Sequence, residues 1–104
     1  MVKHIILWQL KEEYSAEEKE TIKKEIKCGL EGLKGIVPGL IEIFVQTKCL
    51  SSSNADLMLN STFESEEALK SYAIHPAHVK VADGKVRPFV QLRACIDFEV
   101  DAAK

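Results

Sequence analysis

The chain carries two kinds of apolar spacing, one typical of strands and one typical of helices. Short runs rich in β-branched and aromatic residues predict four strands, at about residues 2–11, 40–48, 57–63 and 89–98. Two segments between them place apolar residues every three or four positions, as an amphipathic helix does. The first helix has the stripe Ile22, Ile26, Leu30 and Leu33, and the second has Ala68, Leu69, Tyr72 and Ala73.

Capping and turn residues mark where these elements begin and end. Ser15 is followed three residues later by Glu18, which predicts a capping box, and Ser65 precedes the second helix. A turn is predicted at residues 38–39, and residues 75–88 form a connection in which Pro76 can start a helical turn. The order β-α-β-β-α-β predicts one α+β domain over residues 1–104, with a core of about 2–100. Its expected fold is ferredoxin-like, a four-stranded antiparallel sheet with two helices on one face.

Two helices leave the second face of such a sheet uncovered. Phe44 and either Leu57 or Met58 are predicted to lie on that face, together with much of the first strand. An exposed apolar patch of this kind usually marks an interface. We therefore expect a homodimer, in which two open sheet faces pack together or close into a shared α/β barrel.

Composition and charge indicate which partners the chain can bind and in which cellular compartment it is expected. The 104 residues are 46% hydrophobic and 29% charged, which excludes intrinsic disorder, and the formal net charge is −2. A chain with this balance has no bulk electrostatic reason to bind nucleic acid or an anionic membrane. No CxxC pair and no signal peptide are evident, so we expect a reducing compartment, the cytoplasm.

Several short motifs occur in an order that resembles the stress-responsive A/B barrel domain family. They are the opening residues 2–5, the Pro-Gly turn at 38–39, the segment TFESEEAL at 62–69, the segment HPAHV at 75–79, and the Asp-Phe pair at 97–98. The resemblance extends from Val2 to about Val100. It implies a ferredoxin-like fold and a dimeric α+β barrel, in agreement with the hydrophobic pattern.

The resemblance implies two functional options, neither of which requires a cofactor. Most bacterial members have no assigned activity, so the first option is a homodimer that binds a small hydrophobic or aromatic ligand in the cleft between sheet and helices. One plant member is a cofactor-free polyketide cyclase, so the second is aldol chemistry, with a monooxygenase as a weaker variant. By resemblance to that cyclase, His78 is the general base, Tyr72 donates to an enolate, and His4 lines the pocket. A histidine in the cyclase's third strand is replaced here by Leu57.

His78 and Tyr72 also suit proton transfer as residue types. A neutral imidazole, with an ordinary pKa of about 6.5, can remove a proton from an activated C–H group, and a phenol can donate to the developing enolate oxygen. The structural alternative is that His78 hydrogen-bonds the last carbonyls of the second helix while Tyr72 is an amphipathic core residue. Both interpretations remain open at this point.

Five further residues are candidate ligand contacts. His4 and Trp8 share one face of the first strand. If that face lies opposite the helices, His4 can look into the cleft, and if it packs on the helices, His4 is a core residue. Asn60 interrupts an apolar strand, as Gln91 and Arg93 also do. Such polar residues can orient a ligand, although a solvent-facing arrangement is commoner. Leu57 and His75 complete the predicted contact set.

No metal site is predicted from sequence. His75 and His78 can share one helix face, but zinc needs three or four protein ligands, and Asp83 is the only acidic residue close in sequence. The three cysteines are expected to behave as small hydrophobic residues, because no base is placed beside any of them. Arg93 and Asp97 lie on one face of the last strand, where they are expected to pair with neighbouring strands.

Overall fold

The computed structural model describes residues 1–101, which form four strands and three helices. The strands are β1 (Val2–Leu10), β2 (Leu40–Gln46), β3 (Leu57–Phe63) and β4 (Val90–Glu99). The helices are α1 (Ala16–Glu31), α2 (Glu66–Ile74) and α3 (Pro76–Val81), and a π-helical turn (Ala82–Val86) and a 3₁₀ turn (Arg87–Phe89) lead into β4. No helix in residues 1–101 is long and apolar enough to cross a membrane. The last three residues of the predicted domain, 102–104, lie outside the described part.

The four strands form one antiparallel sheet in the order β2-β3-β1-β4. This is the ferredoxin-like arrangement that the element order predicts. Alternation along β1 turns one set of side chains towards the helices, and every member of that set is buried: Val2, His4, Ile6, Trp8 and Leu10. The face of β1 that carries His4 is therefore the face that packs on the helices.

The helices begin at the predicted caps. Ser15 and Glu18 form a reciprocal capping box at the start of α1, since each side chain accepts from the other residue's backbone N–H at 3.1 and 2.8 Å. The Ser65 hydroxyl accepts from the Ala68 N–H at the start of α2. The predicted stripe of α1 packs into the core, where its members are buried: Ile22, Ile26 and Leu30.

The connection after α2 is more helical than predicted. The chain is extended at His75, whose Nδ1 accepts the N–H of Ala77 at 3.1 Å and so caps α3. Pro76 opens α3, where its fixed φ and missing N–H suit the first helical position. A third helix and two short helical turns therefore occupy the segment that was predicted as a connection with one helical turn.

The face of the sheet away from the helices keeps a large apolar surface. Its most exposed members are 41–60% exposed: Leu7, Phe44, Leu92, Ile96 and Phe98. Met58 lies opposite Leu7 and Gln46 on this face, whereas Leu57 is turned into the core and fully buried. Of the two residues considered from sequence, Met58 is thus the one on the open face. We name this surface the open face.

The turn before β2 depends on a glycine. Gly39 has a φ of 83°, and a Cβ added there would lie only 2.5 Å from the Cβ of Ala68 on α2. Its carbonyl also accepts the N–H of Glu64 at 2.9 Å, just before α2. Gly39 therefore lets α2 approach the start of β2 closely, and α2 carries one wall of the site described below.

We expect Gly39→Ala to lower the free energy of unfolding by about 2–4 kcal/mol, from left-handed strain of about 1–2 kcal/mol plus the clash with Ala68. Gly35→Ala is the matched control, because Gly35 has a similar φ of 88° but open space around its Cα. The free energy of unfolding of the control should fall by about 1–2 kcal/mol, because only the backbone strain acts there. Urea denaturation of the two variants measures both values, and equal losses would contradict the role given to the contact with α2.

Candidate functional site

The helices cover the sheet unevenly, and a cavity of about 350 Å³ remains between β1, β4, α2 and the segment after α2. Ile6 and Trp8 contribute an apolar side from β1, while Tyr72 and His78 line the cavity from the helices. A volume of this size is at the small end of the range for ligand pockets. Few polar groups among mainly apolar side chains are typical of a site that orients a small organic molecule.

Tyr72 and His78 come together in this cavity. Their ring centroids are 4.1 Å apart and the rings are inclined by 33°. The contact follows from the local sequence, because α2 ends at Ile74, His75 turns the chain, and Pro76 starts α3 in a new direction. The proline thereby brings His78 back over a side chain that lies six positions earlier.

The hydrogen bond of His78 assigns its tautomer. Its Nδ1 lies 3.3 Å from the carbonyl oxygen of Ala73. A carbonyl can only accept, so Nδ1 carries the proton in the neutral ring and Nε2 keeps its lone pair. Burial lowers the pKa of His78 below its ordinary value, outweighing the opposite effect of the hydrogen bond to Ala73, and Arg87 also lowers it. The ring is therefore a neutral base at pH 7.

Tyr72 presents a hydroxyl with no partner. Its ring is buried against Phe63, at 4.9 Å between centroids, and against His4, at 6.1 Å. Among the described residues no group hydrogen-bonds its Oη. Burial raises the pKa of Tyr72 far above its ordinary range, with Arg93 acting in the opposite direction, so the phenol stays protonated. An unpaired buried hydroxyl is unfavourable by about 1–3 kcal/mol, which a ligand oxygen could offset.

His4 stands between this cavity and a second one of about 610 Å³, which lies between α2 and β4. Its Nδ1 is 2.5 Å from Oδ1 of Asp97 and 3.8 Å from Sγ of Cys95. The Ser61 hydroxyl donates to the His4 backbone carbonyl at 2.8 Å, which holds this part of β1. The antiparallel register places His4 directly opposite Asp97, although they are 93 positions apart.

The structure brings together four of the seven residues predicted from sequence. The cavity of about 350 Å³ is lined by His4, Trp8, Tyr72 and His78. The face of β1 that carries His4 packs on the helices, which predicted a core residue, and His4 is indeed buried. It also lines the cavity, because the helices leave a gap over this face. His78 likewise carries both features that were weighed as alternatives, the contact with the last turn of α2 and a place in the cavity.

The other three predicted contact residues lie elsewhere. Leu57 is fully buried in the core, and Asn60 lies on the open face, beside Phe44 in a cleft of about 150 Å³. The Nδ1 of His75 accepts a hydrogen bond that caps α3, and His75 does not line the cavity. Strand alternation explains the first two, because it places successive side chains on opposite faces without saying which face the helices cover.

Sequence analysis considered Gln91 and Arg93 as residues that could orient a ligand, but it did not assign the polar wall of β4 to the site. Arg93 lines both cavities, and Asp97 pairs with His4, which lies opposite it on the neighbouring strand β1, as expected for a residue on that face. The available signal was the polar character of alternate positions in β4: Gln91, Arg93, Cys95, Asp97 and Glu99. A strand covered by helices would carry apolar residues there, so this pattern indicates a strand edge that the helices leave open.

The family model for the Stress Responsive A/B Barrel Domain matches residues 2–100. The chain belongs to this family. Membership agrees with the resemblance drawn from the HPAHV segment and with the antiparallel sheet order.

Three relatives illustrate the range of this family and its fold. Olivetolic acid cyclase from Cannabis sativa is 31% identical over 86 residues, which cover 79% of this chain and 80% of the cyclase. A dimeric protein of unknown function with a ferredoxin-like fold from Bacteroides fragilis has a TM-score of 0.89 and 29% identity, covering 95% of both chains. A family member from Mesorhizobium loti has a TM-score of 0.76 and 16% identity, covering 97% of both chains.

We expect Tyr72→Phe to leave the free energy of unfolding unchanged or to raise it by up to about 1 kcal/mol. The variant keeps the packed ring and removes a buried hydroxyl that has no partner. Tyr72→Ala should instead lose about 3–5 kcal/mol, because it removes the ring itself. Urea denaturation of the ligand-free protein measures the free energy of unfolding of both variants. A clear decrease in that free energy for Tyr72→Phe would mean that the hydroxyl has a hydrogen-bond partner in the free protein.

Proposed function

We propose that this protein is a cofactor-independent enzyme that binds a small carbonyl compound and promotes an aldol cyclisation through an enolate. The observation that carries the proposal is the pairing of His78 with Tyr72 at the cavity. One is a neutral base, and the other is a buried donor that has no hydrogen-bond partner among residues 1–101. Such a pair supplies both functions that enolate formation needs.

The proposed reaction assigns one role to each side chain. A ligand carbonyl oxygen accepts a hydrogen bond from the Tyr72 hydroxyl. His78 Nε2 takes a proton from the adjacent carbon, and the C–H electron pair moves into the enolate that Tyr72 stabilises. The enolate carbon attacks a second carbonyl of the same molecule to form the ring bond. The protonated His78 then returns its proton to the new alkoxide, so the enzyme ends unchanged.

The relationship to olivetolic acid cyclase supports a cyclase-type activity for this chain. The replacement of a strand-3 histidine by Leu57, inferred from the resemblance, removes neither member of the His78–Tyr72 pair. Leu57 is also outside the cavity that the pair lines. The substitution therefore leaves both the proton-transfer pair and the lining of this cavity in place.

Ligand binding without turnover is the second candidate. The observation that favours it is the contact of His78 Nδ1 with the Ala73 carbonyl, which gives His78 a structural use at the end of α2. Under this proposal Tyr72 and His78 would orient a small hydrophobic or aromatic ligand, and no bond would form or break. Turnover separates the two candidates.

We expect His78→Gln and Tyr72→Phe each to lower kcat/KM about 10²- to 10⁴-fold for cyclisation of a linear poly-β-keto thioester. His75→Asn is the matched control. It changes a histidine outside the cavity and retains a good N-cap for α3, so its kcat/KM should stay within about twofold of wild type. Saturable binding of the thioester with no product above background would favour the second candidate.

We also propose that the protein is a homodimer that forms through the open face. The apolar side chains of this face are 41–60% exposed in one chain, and they run across the sheet from Phe44 on β2 to Ile96 on β4. Exposed patches of this kind are typical of interfaces. The Bacteroides fragilis protein, which is dimeric, supports the same assembly here.

We expect Ile96→Asp to convert the dimer into a monomer at micromolar concentration, since it places a charge within an apolar contact. Leu50→Asp is the control, because Leu50 is 80% exposed in the loop before β3 and lies off the open face. Sedimentation equilibrium of the two variants measures the mass of each. A dimeric Ile96→Asp protein, or a Leu50→Asp monomer, would contradict the assignment of the interface.

The cytoplasm is the compartment we propose. Among the described residues the cysteines are free and exposed: Cys28, Cys49 and Cys95. Thiols of this kind persist more readily in a reducing compartment than in a secreted protein. The protein is thus expected to act where such thiols stay reduced.

A further inference from the structure

Three side chains that no step of the proposed reaction uses converge at the second cavity. They are His4 of β1 and Cys95 and Asp97 of β4, and their ligating atoms all lie within 4.8 Å of one another. Residues 95 and 97 fall on the same face of β4, and Asp97 is the direct cross-strand partner of His4. The strand register therefore builds the cluster from the two ends of the chain.

We propose that His4 Nδ1, Cys95 Sγ and Asp97 Oδ1 form a three-ligand site for Zn²⁺. The distances of Sγ from the His4 nitrogen and from the Asp97 oxygen are 3.8 and 3.6 Å. Tetrahedral zinc with its usual bond lengths places sulfur about 3.6 Å from nitrogen or oxygen ligands, so both distances already fit.

The third ligand pair must separate slightly to admit the ion. His4 Nδ1 and Asp97 Oδ1 are 2.5 Å apart, and a tetrahedral site requires about 3.3 Å. The Asp97 side chain is 46% exposed on an edge strand and can make that movement. The His4 side chain is only 9% exposed and is packed against Phe63 and Tyr72, so it provides a fixed first ligand.

The donor set selects the class of metal. Imidazole nitrogen, thiolate sulfur and carboxylate oxygen together suit zinc, whereas magnesium and calcium prefer oxygen ligands alone. The negative charges of the thiolate and the carboxylate balance the charge of Zn²⁺. The positive charge of Arg93, which lines the same cavity, is unfavourable for the cation. Three protein ligands leave the fourth position open towards a cavity of about 610 Å³, which is the form of a site that accepts water or a further ligand.

The histidine pair of the HPAH segment is a poorer zinc site than this cluster. His75 Nδ1 is used to cap α3, and His78 Nδ1 is used by the Ala73 carbonyl. No cysteine or acidic group joins these two histidines in a metal-ligating cluster within the described residues. The zinc proposal does not rest on the proposed cyclisation, since metal binding is measured without any substrate.

The test measures the zinc affinity of the full chain by equilibrium dialysis. Absorption spectra of the cobalt complex, in which Co²⁺ substitutes for Zn²⁺, report on the ligands. We expect one zinc per chain, and a thiolate-to-cobalt charge-transfer band in the near ultraviolet. Cys95→Ser and Asp97→Asn change exposed positions, so they should fold, and each should weaken zinc binding at least about 100-fold. Both cobalt complexes should change, and Cys95→Ser should lose the charge-transfer band.

Cys49→Ser is the matched control, because Cys49 is also exposed but lies in the loop before β3. Its zinc affinity should stay within about twofold of wild type, and its cobalt band should remain. Three results would overturn the site: no zinc retained by the wild type, unchanged affinity in Cys95→Ser, or loss of binding in Cys49→Ser. Far-ultraviolet circular dichroism of every variant confirms that an affinity change is not a loss of fold.

Discussion

The packing of Tyr72 against the sheet holds the site together. Its ring lies on Phe63 at the end of β3 and on His4 near the start of β1, while His78 covers it from α3. One side chain thus ties α2 to both central strands and to the next helix. The close approach of Ala68 to Gly39 secures the other end of the same helix. Burial of the ring stabilises the fold, and it also keeps water from the hydroxyl, so the same contact leaves a polar atom available to a ligand.

Most elements of the fold follow from local signals in the sequence. The bounds of β3 match the prediction at both ends, and Ser15 and Ser65 cap the helices because each is placed where orphan backbone N–H groups need an acceptor. Residues 75–88 were harder to predict, because a six-residue helix, a π-helical turn and a 3₁₀ turn are each too short to show a helical period. Gly84 and Pro88 within the segment also weaken any helical propensity.

The candidate site was predictable only where its members are close in sequence. Tyr72 and His78 are six positions apart and Pro76 fixes the turn between them, so their contact could be expected. His4 meets Asp97 only through the register of β1 with β4, which joins the two ends of the chain and leaves no local trace. Alternation placed Asn60 on the opposite face from Leu57, yet only the packed helices decide which of these faces is covered.

The uncovered edge strand has a consequence for how this protein can diverge. Residues 91–99 of β4 are all exposed in the single chain, and those at alternate positions border the cavities without supporting the core. Substitutions at these alternate positions alter the charge and shape of the cavity walls at small cost in folding free energy, because surface changes away from packed contacts are usually within about 0.5 kcal/mol. Selection can therefore act on the walls of the cavities through these alternate positions almost independently of selection for a stable domain.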